Sequence, residues 1–287
     1  MGKLVTKDIR KTFKIRASGR STDFISPSFG YGCLYNCSYC YMKRHKDKGL
    51  SVATNTGDIL TSVNNHAYFT PVDKPNQTHK TFTTYDISCN EDFALHAKHH
   101  EWQRIFEFFR DHPVAMGSFA TKYVNPNLCS FDPEGKIRIR FSLMPQHKSD
   151  LHEPGTSKIL DRIKAIDAFI DAGYDVHVNY SPIIVYDGWL KDYKYLFDMM
   201  NDYVSYKEQV LSECIFLTHN FKKHTINLGR HPDTEADLWV LDKQEVKRSQ
   251  YGGENIRYKL GIKSEYIRQF RELHQTTIPW NTIRYIF

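Results

Sequence analysis

Three cysteines, Cys33, Cys37 and Cys40, stand at C-x3-C-x2-C spacing inside GYGCLYNCSYCYMKRH (30–45), and thiolates this close together share one metal centre. Soft sulfur donors select zinc or an iron–sulfur cluster, and a cubane cluster ordinarily takes four cysteines. Three therefore hold three irons and leave the fourth open to a substrate or cofactor. A Cys3His zinc site completed by His45 competes with this, although zinc motifs usually pair one C-x2-4-C arm with a second and none follows here. A helix is a third reading, because positions i, i+4 and i+7 share one face and cysteine packs well in cores. Gly30, Gly32 and the aromatic residues crowded around the cysteines favour instead a tight loop wrapped around a bound group.

A loop of this kind needs a scaffold, and the chain beyond residue 80 alternates short β-rich runs with longer amphipathic ones. Strands are expected at 81–88, 113–122, 136–143, 176–186 and 213–221. Helices are expected at 91–112, at 156–172 with Gly173 as its stop, at 187–203 and near 264–274. In EPGTS (153–157), Pro154 ends the preceding strand and Thr156 or Ser157 caps the helix, a structural role. This alternation implies right-handed crossovers and a parallel sheet covered by helices. The expected fold is α/β, a partial (β/α)6-type TIM barrel. Ligands in such sheets sit at the carboxyl ends of the strands, where Cys89, Lys122, Ser142 and Ser181 fall.

The chain has 287 residues, 40% of them apolar and 14% aromatic, which suffices to bury a full core. Three stretches are expected: a basic arm (1–22), the barrel (23–234) and an aromatic-rich cap or hairpin (235–287) that contributes to the substrate site. No apolar run is long enough to span a bilayer, and the basic amino terminus lacks the apolar stretch of a signal peptide. Six cysteines without a regular framework fit a reducing compartment, so the protein is expected in the cytoplasm, with Cys129 and Cys214 as packing residues. The net charge of +6 and the seven Lys or Arg among the first twenty residues suit a polyanionic partner such as nucleic acid, or merely a solvated tail.

A cluster with one open iron suits S-adenosylmethionine, whose amino and carboxylate groups can chelate that iron. With an aromatic residue before its last cysteine, the C-x3-C-x2-C motif resembles that of the radical S-adenosylmethionine superfamily. The finer resemblance is to the spore photoproduct lyase family and runs from Cys33 almost to the carboxyl end. It is carried by CSYCY (37–41), ISCNEDF (87–93), ATKY (120–123), IRFSL (139–143), EPGTS (153–157), AGY (172–174), SPIIVYDGW (181–189) and QYGG (250–253). The resemblance implies a 4Fe-4S cluster on Cys33, Cys37 and Cys40, with S-adenosylmethionine bound to it. It implies a 5′-deoxyadenosyl radical that takes hydrogen from C6 of a cross-linked thymine dimer in DNA, after which two thymines return. By motif, Cys89 is the hydrogen-atom donor and Tyr39 and Tyr41 the relay. Lys122 and Ser142 match residues at the polar end of the cofactor, Ser181 a strand whose backbone receives adenine, and Tyr39 is also expected beside the cofactor as part of the aromatic shell.

Two departures bear on the substrate. Only 32 residues precede the first cluster cysteine, and RSQYGG places Gln250 where the spore enzymes carry an arginine before the lesion-seating tyrosine, here Tyr251. Glutamine lacks the charge and the fork of arginine, so either Arg248 or Arg257 replaces that contact or the substrate differs. Asn90 and Glu91 also stand where small hydroxyl residues follow the donor cysteine. The leading reading is a radical lyase that repairs damaged thymine dinucleotides in DNA, fed by a reductant such as flavodoxin or ferredoxin and acting as a monomer. A radical enzyme for another modified pyrimidine or small substrate is the alternative, and a metal-binding nucleic-acid protein without catalysis is a remoter one.

Overall fold

The computed structural model describes residues 4–9, 11–12, 14–17, 23–40, 42, 50–69, 79–248 and 252–287. In chain order the strands are β1 (Leu4–Lys7), β2 (Arg16–Ala17), β3 (Phe24–Ile25), β4 (Gly30–Tyr31), β5 (Leu50–Ala53), β6 (Thr83–Asp86) and β7 (Ala115–Thr121). They continue with β8 (Ile137–Ser142), β9 (Asp175–Ile183), β10 (Leu211–Phe216), β11 (Thr218–Asn220), β12 (Gln244–Arg248), β13 (Glu254–Tyr258) and β14 (Ile283–Ile286). The helices are α1 (Thr56–Phe69), α2 (Phe93–His96), α3 (Trp102–Asp111), α4 (Gln146–His152), α5 (Ile159–Asp171), α6 (Trp189–Tyr203), α7 (Phe221–Arg230), α8 (Pro232–Leu238) and α9 (Leu260–Thr277). They fall into two compact units, Met1–Leu34 with His45–Phe141 and Ala165–His177, and Tyr35–Arg44 with Ser142–Lys164 and Val178–Phe287.

In the first unit the main strands lie in the order β8, β7, β6, β3, β2, parallel from β8 to β3, with β2 antiparallel at the edge. β7 and β8 are buried almost throughout, as parallel strands covered on both faces must be. Alternation in IRIRFS turns Ile137, Ile139 and Phe141 one way and Arg138 and Arg140 the other. Those buried guanidiniums meet carboxylates: Arg138 lies 2.7 Å from Asp175, and Arg140 lies 3.1 Å from Asp86 and 3.8 Å from Asp23. β1, within the basic stretch 1–22, pairs in parallel with β5, which carries β4 on its other side.

The helix expected over 91–112 is interrupted. Asp92 caps α2 by accepting the Leu95 amide at 3.2 Å, a single 3-10 turn follows, and α3 starts afresh at Trp102. Glu91 thus lies before the helix, in the turn closed by its own amide on Ser88 O. The stop at Gly173 is as expected: the Gly173 amide reaches Ile170 O at 2.9 Å and the Tyr174 amide reaches Phe169 O at 3.0 Å, with Gly173 at φ 88°.

In the second unit the order is β14, β10, β9, with β10 and β14 parallel. The strand expected at 213–221 divides at Leu217: β10 stays in this sheet, while β11 pairs antiparallel with β13 in a separate three-stranded sheet closed by β12. The tail therefore supplies the expected hairpin, β12–β13, and also returns β14 to the main sheet. Trp189, Tyr193 and Phe197 of α6 pack on Phe270 of α9 with ring centroids 5.2–6.3 Å apart. Cys214 is buried within β10, as a packing residue should be. No helix among the described residues is long and apolar enough to cross a membrane.

Candidate active site

None of the three motif cysteines lies in a helix: Cys33 follows β4, and Cys37 and Cys40 flank a turn through Ser38 and Tyr39. Cys37 is buried, and Cys33 and Cys40 are half-buried. Three soft donors close together on an irregular loop fit the demands of an iron–sulfur cluster. Among the described residues no group of three or more His, Cys, Asp or Glu converges as the ligands of one ion would. His45 and Tyr41 lie outside the described residues.

In the second unit, polar side chains grip the turn between Cys37 and Cys40. The Ser38 amide donates to His152 O at 2.8 Å, and Ser38 O accepts from Asn227 at 3.1 Å. His152 Nε2 lies 2.7 Å from Asp237, which also takes Lys148 at 2.6 Å. With its Nε2 proton directed at that carboxylate, His152 offers Nδ1 as an acceptor, and Ser38 Oγ lies 2.7 Å from it. Burial lowers the His152 pKa, which suits the neutral ring. His219 of β11 meets Tyr39 O at 3.0 Å, and Glu235 of α8 holds His224 at 2.7 Å and Asn227 as well.

The Tyr39 hydroxyl donates to Glu153, and burial, reinforced by the Glu153 charge, pushes its pKa well above the ordinary phenol value. Glu153 is completely buried against Arg162, whose two terminal nitrogens each lie 3.1 Å from Oε2. Arg162 also donates to Ser142 O at 2.7 Å, Ser157 O at 2.9 Å and Thr156 Oγ1 at 2.7 Å. Glu153 and Arg162 thus join Tyr39 to the buried end of β8 at Ser142. EPGTS is structural, but through its glutamate: it follows the helix α4 and not the strand expected before Pro154, and Gln146 Oε1 receives the first amide of α5 at 2.8 Å.

In the first unit Cys89 is half-buried, three residues beyond the end of β6. The residues after it reach both ways. The Asp92 carboxylate accepts Thr121 Oγ1 at 2.7 Å and the Lys122 amide at 2.8 Å, which fixes the end of β7. Asn90 O accepts the Gly32 amide at 3.1 Å, and Asn90 Nδ2 donates to Ser28. The Glu91 side chain is fully buried, with His96 Nδ1 and His100 Nε2 each 2.9 Å from Oε2. Burial pushes its pKa up, but the hydrogen bonds from His100 and His96 outweigh that and hold it below the usual carboxylate value. His96 Nε2 accepts the Leu34 amide at 3.3 Å, next to Cys33. Gly30 is required by this arrangement, since a side chain there would begin 2.3 Å from the Glu91 carboxylate.

Of the other expected residues, Ser181 is half-buried in β9, two positions before its end. Arg248 is exposed at the end of β12. Arg257 on β13 faces Glu245 across the ladder at 3.4 Å. Gln250 and Tyr251 lie outside the described residues. Sequence reasoning missed His152, Arg162, Asn227, Glu235 and Asp237 as holders of the cysteine loop. The i, i+4 pair His96 and His100 was a local signal that could have been used, whereas the others are distant in sequence.

The spore photoproduct lyase family model matches residues 3–287. The spore photoproduct lyase of Bacillus subtilis (strain 168) is 28% identical over 274 residues, covering 93% of this chain and 74% of that protein. Its counterpart in Clostridium acetobutylicum is 25% identical over 246 residues, covering 81% and 69%. A solved spore photoproduct lyase variant with bound AdoMet and dinucleoside spore photoproduct superimposes with a TM-score of 0.85 at 22% identity, covering 99% of this chain and 82% of that one. The fold is thus the partial barrel of the radical S-adenosylmethionine enzymes.

Proposed function

The chain belongs to the spore photoproduct lyase family, and on that premise we propose that it returns the cross-linked thymine dimer of DNA to two thymines, in the cytoplasm and with electrons from a flavodoxin or ferredoxin. The carrying observation is the family match over residues 3–287, which includes the cysteine motif and Cys89. Cys33, Cys37 and Cys40 would hold a 4Fe-4S cluster with S-adenosylmethionine beside it, and together these supply one-electron cleavage chemistry and a hydrogen-abstracting carbon radical.

The protein's own residues do the rest. Cys89 gives the closing hydrogen atom: its S–H bond breaks homolytically, a C–H bond forms on the thymine radical, and the thiyl radical left behind takes a hydrogen atom from a phenolic O–H of the Tyr39 and Tyr41 relay, so that the S–H bond re-forms and the radical passes to the phenol oxygen. Tyr39 suits that part because it keeps its phenolic proton at neutral pH and directs it at Glu153. Lys122 and Ser142 are assigned to the cofactor's carboxylate end and Ser181 to the adenine side. Arg248, Gln250, Tyr251 and Arg257 of the carboxyl-terminal stretch 235–287 are assigned to the lesion. Arg257 meets it while facing Glu245, so exposed Arg248 is the better substitute for the arginine that Gln250 replaces. That same replacement favours a second reading, a radical enzyme for another modified pyrimidine.

The test is anaerobic reconstitution with iron and sulfide, reduction in the presence of S-adenosylmethionine and a dinucleoside spore photoproduct, and chromatography of the products. Restored thymidines are expected. Formation of 5′-deoxyadenosine without them would leave radical generation standing and defeat the repair assignment.

A further inference from the structure

A carboxylate sealed in a protein interior is costly unless its partners repay the lost hydration, and Glu91 meets that cost with two imidazoles rather than a permanent cation. One of its oxygens, Oε1, has no hydrogen-bond partner among the described residues. An apolar residue would fill this space at lower cost, so stability alone does not account for the charge. What the carboxylate does is geometric. It turns His96 so that Nε2 is free to accept the Leu34 amide, and it occupies the space over Gly30. With Asn90 holding the Gly32 amide and Ser28, residues 90 and 91 fasten the two positions after Cys89 to the chain on either side of Cys33.

We propose that Glu91 is a positioning residue for hydrogen-atom donation, acting through His96 and Gly30 to set the Cys89 thiol against the Cys33 loop. The proposal rests on the reading of Cys89 as the donor. A transferring hydrogen atom tolerates little displacement, and a misplacement of about 1 Å costs a positioned reaction on the order of 10²-fold. Glu91 touches neither thymine nor cofactor in this role. It governs how the thymine radical is quenched, not whether it forms.

The experiment compares wild type with Glu91→Gln, which keeps the shape and removes the charge that orients both histidines. In metal-free protein, hydrogen–deuterium exchange of peptides spanning 28–40 should quicken in the variant, because the Leu34 amide loses its fixed acceptor on His96 and the neighbouring Asn90 carbonyl, which holds the Gly32 amide, is less firmly anchored. In reconstituted protein with dinucleoside spore photoproduct, the yield of 5′-deoxyadenosine should stay at the wild-type level. The ratio of restored thymidine to by-products quenched by the external reductant should fall at least about tenfold, within the loss expected for a displaced donor. Unchanged exchange together with clean repair by Glu91→Gln overturns the proposal. Should Glu91→Gln not accumulate as folded protein, Gly30→Ala tests the same contact from the other side, and clean repair by that variant also overturns it. Failure of wild type itself to restore thymidine defeats the repair reading instead, so the two failures are separable.

Discussion

Replacing Glu153 by glutamine keeps the volume of the side chain and removes one charge from a pair with no solvent exposure on either partner. Breaking a buried pair from one side costs about 3–5 kcal/mol, because the remaining ion is left uncompensated. Here Arg162 retains Ser142 O, Ser157 O and Thr156 Oγ1 as acceptors, and the glutamine oxygen can still take the Tyr39 hydroxyl, so the lower end applies. A loss of about 3 kcal/mol at about 2–4 °C per kcal/mol predicts a melting temperature lowered by roughly 6–12 °C. Circular dichroism of the metal-free protein measures it. Removing both charges in Glu153→Gln with Arg162→Met should recover part of the loss, since no unpaired ion then remains buried. A single-variant shift of less than about 2 °C would refute the reasoning, for it would mean that the pair carries less than about 1 kcal/mol.

Three further outcomes are expected. Cys89→Ala should open the lesion yet yield quenched by-products in place of clean thymidine, and repair as clean as wild type would remove Cys89 as donor. For Asp175, burial favours the neutral acid, but His177 and Arg138 outweigh it and hold the folded-state pKa well below the ordinary value. Its stabilisation is therefore full above the unfolded pKa of about 3.9 and is lost as pH falls below it. Asp175→Asn should be less stable than wild type at pH 7, and urea titrations should show the two converging below about pH 4; parallel curves would contradict this. Gly173→Ala should cost about 1–2 kcal/mol in chemical denaturation, because alanine is strained at the φ of 88° and its Cβ would stand 1.9 Å from Asp132 as that side chain now lies; a neutral result would show that Asp132 and the backbone both yield.

What the chain reveals before folding is set by sequence range. Gly173 announces the end of α5 because its conformational freedom is local, and the alternation of 137–142 announces β8 because strand faces repeat every second residue. The 91–112 periodicity hides that the helix starts only after Asp92, whose side chain is fixed to the end of β7, a partner 29 residues away, and that a 3-10 turn at Ala97–His99 interrupts it. α4 is short and its QHKSDLH carries no apolar period, so it was silent. β14 reads as a strand only once β10, some 70 residues earlier, lies beside it. The candidate site divides the same way. The cysteine spacing is visible at a glance, but the side chains that grip the turn lie 180 and 189 residues from their targets at His219–Tyr39 and Asn227–Ser38.

His219 has a double membership. As a residue of β11 it sits opposite Ile256 of β13, which in turn is laddered to the strand bearing Arg248. As a side chain it holds the carbonyl of Tyr39, one position from Cys40. The strands β12 and β13, which bear Arg248 and Arg257, are thus connected to the cysteine turn through two rungs of a small sheet. Any coupling along that path is reciprocal by thermodynamic necessity: whatever grips the hairpin biases the turn, and whatever fills the turn biases the hairpin to the same degree.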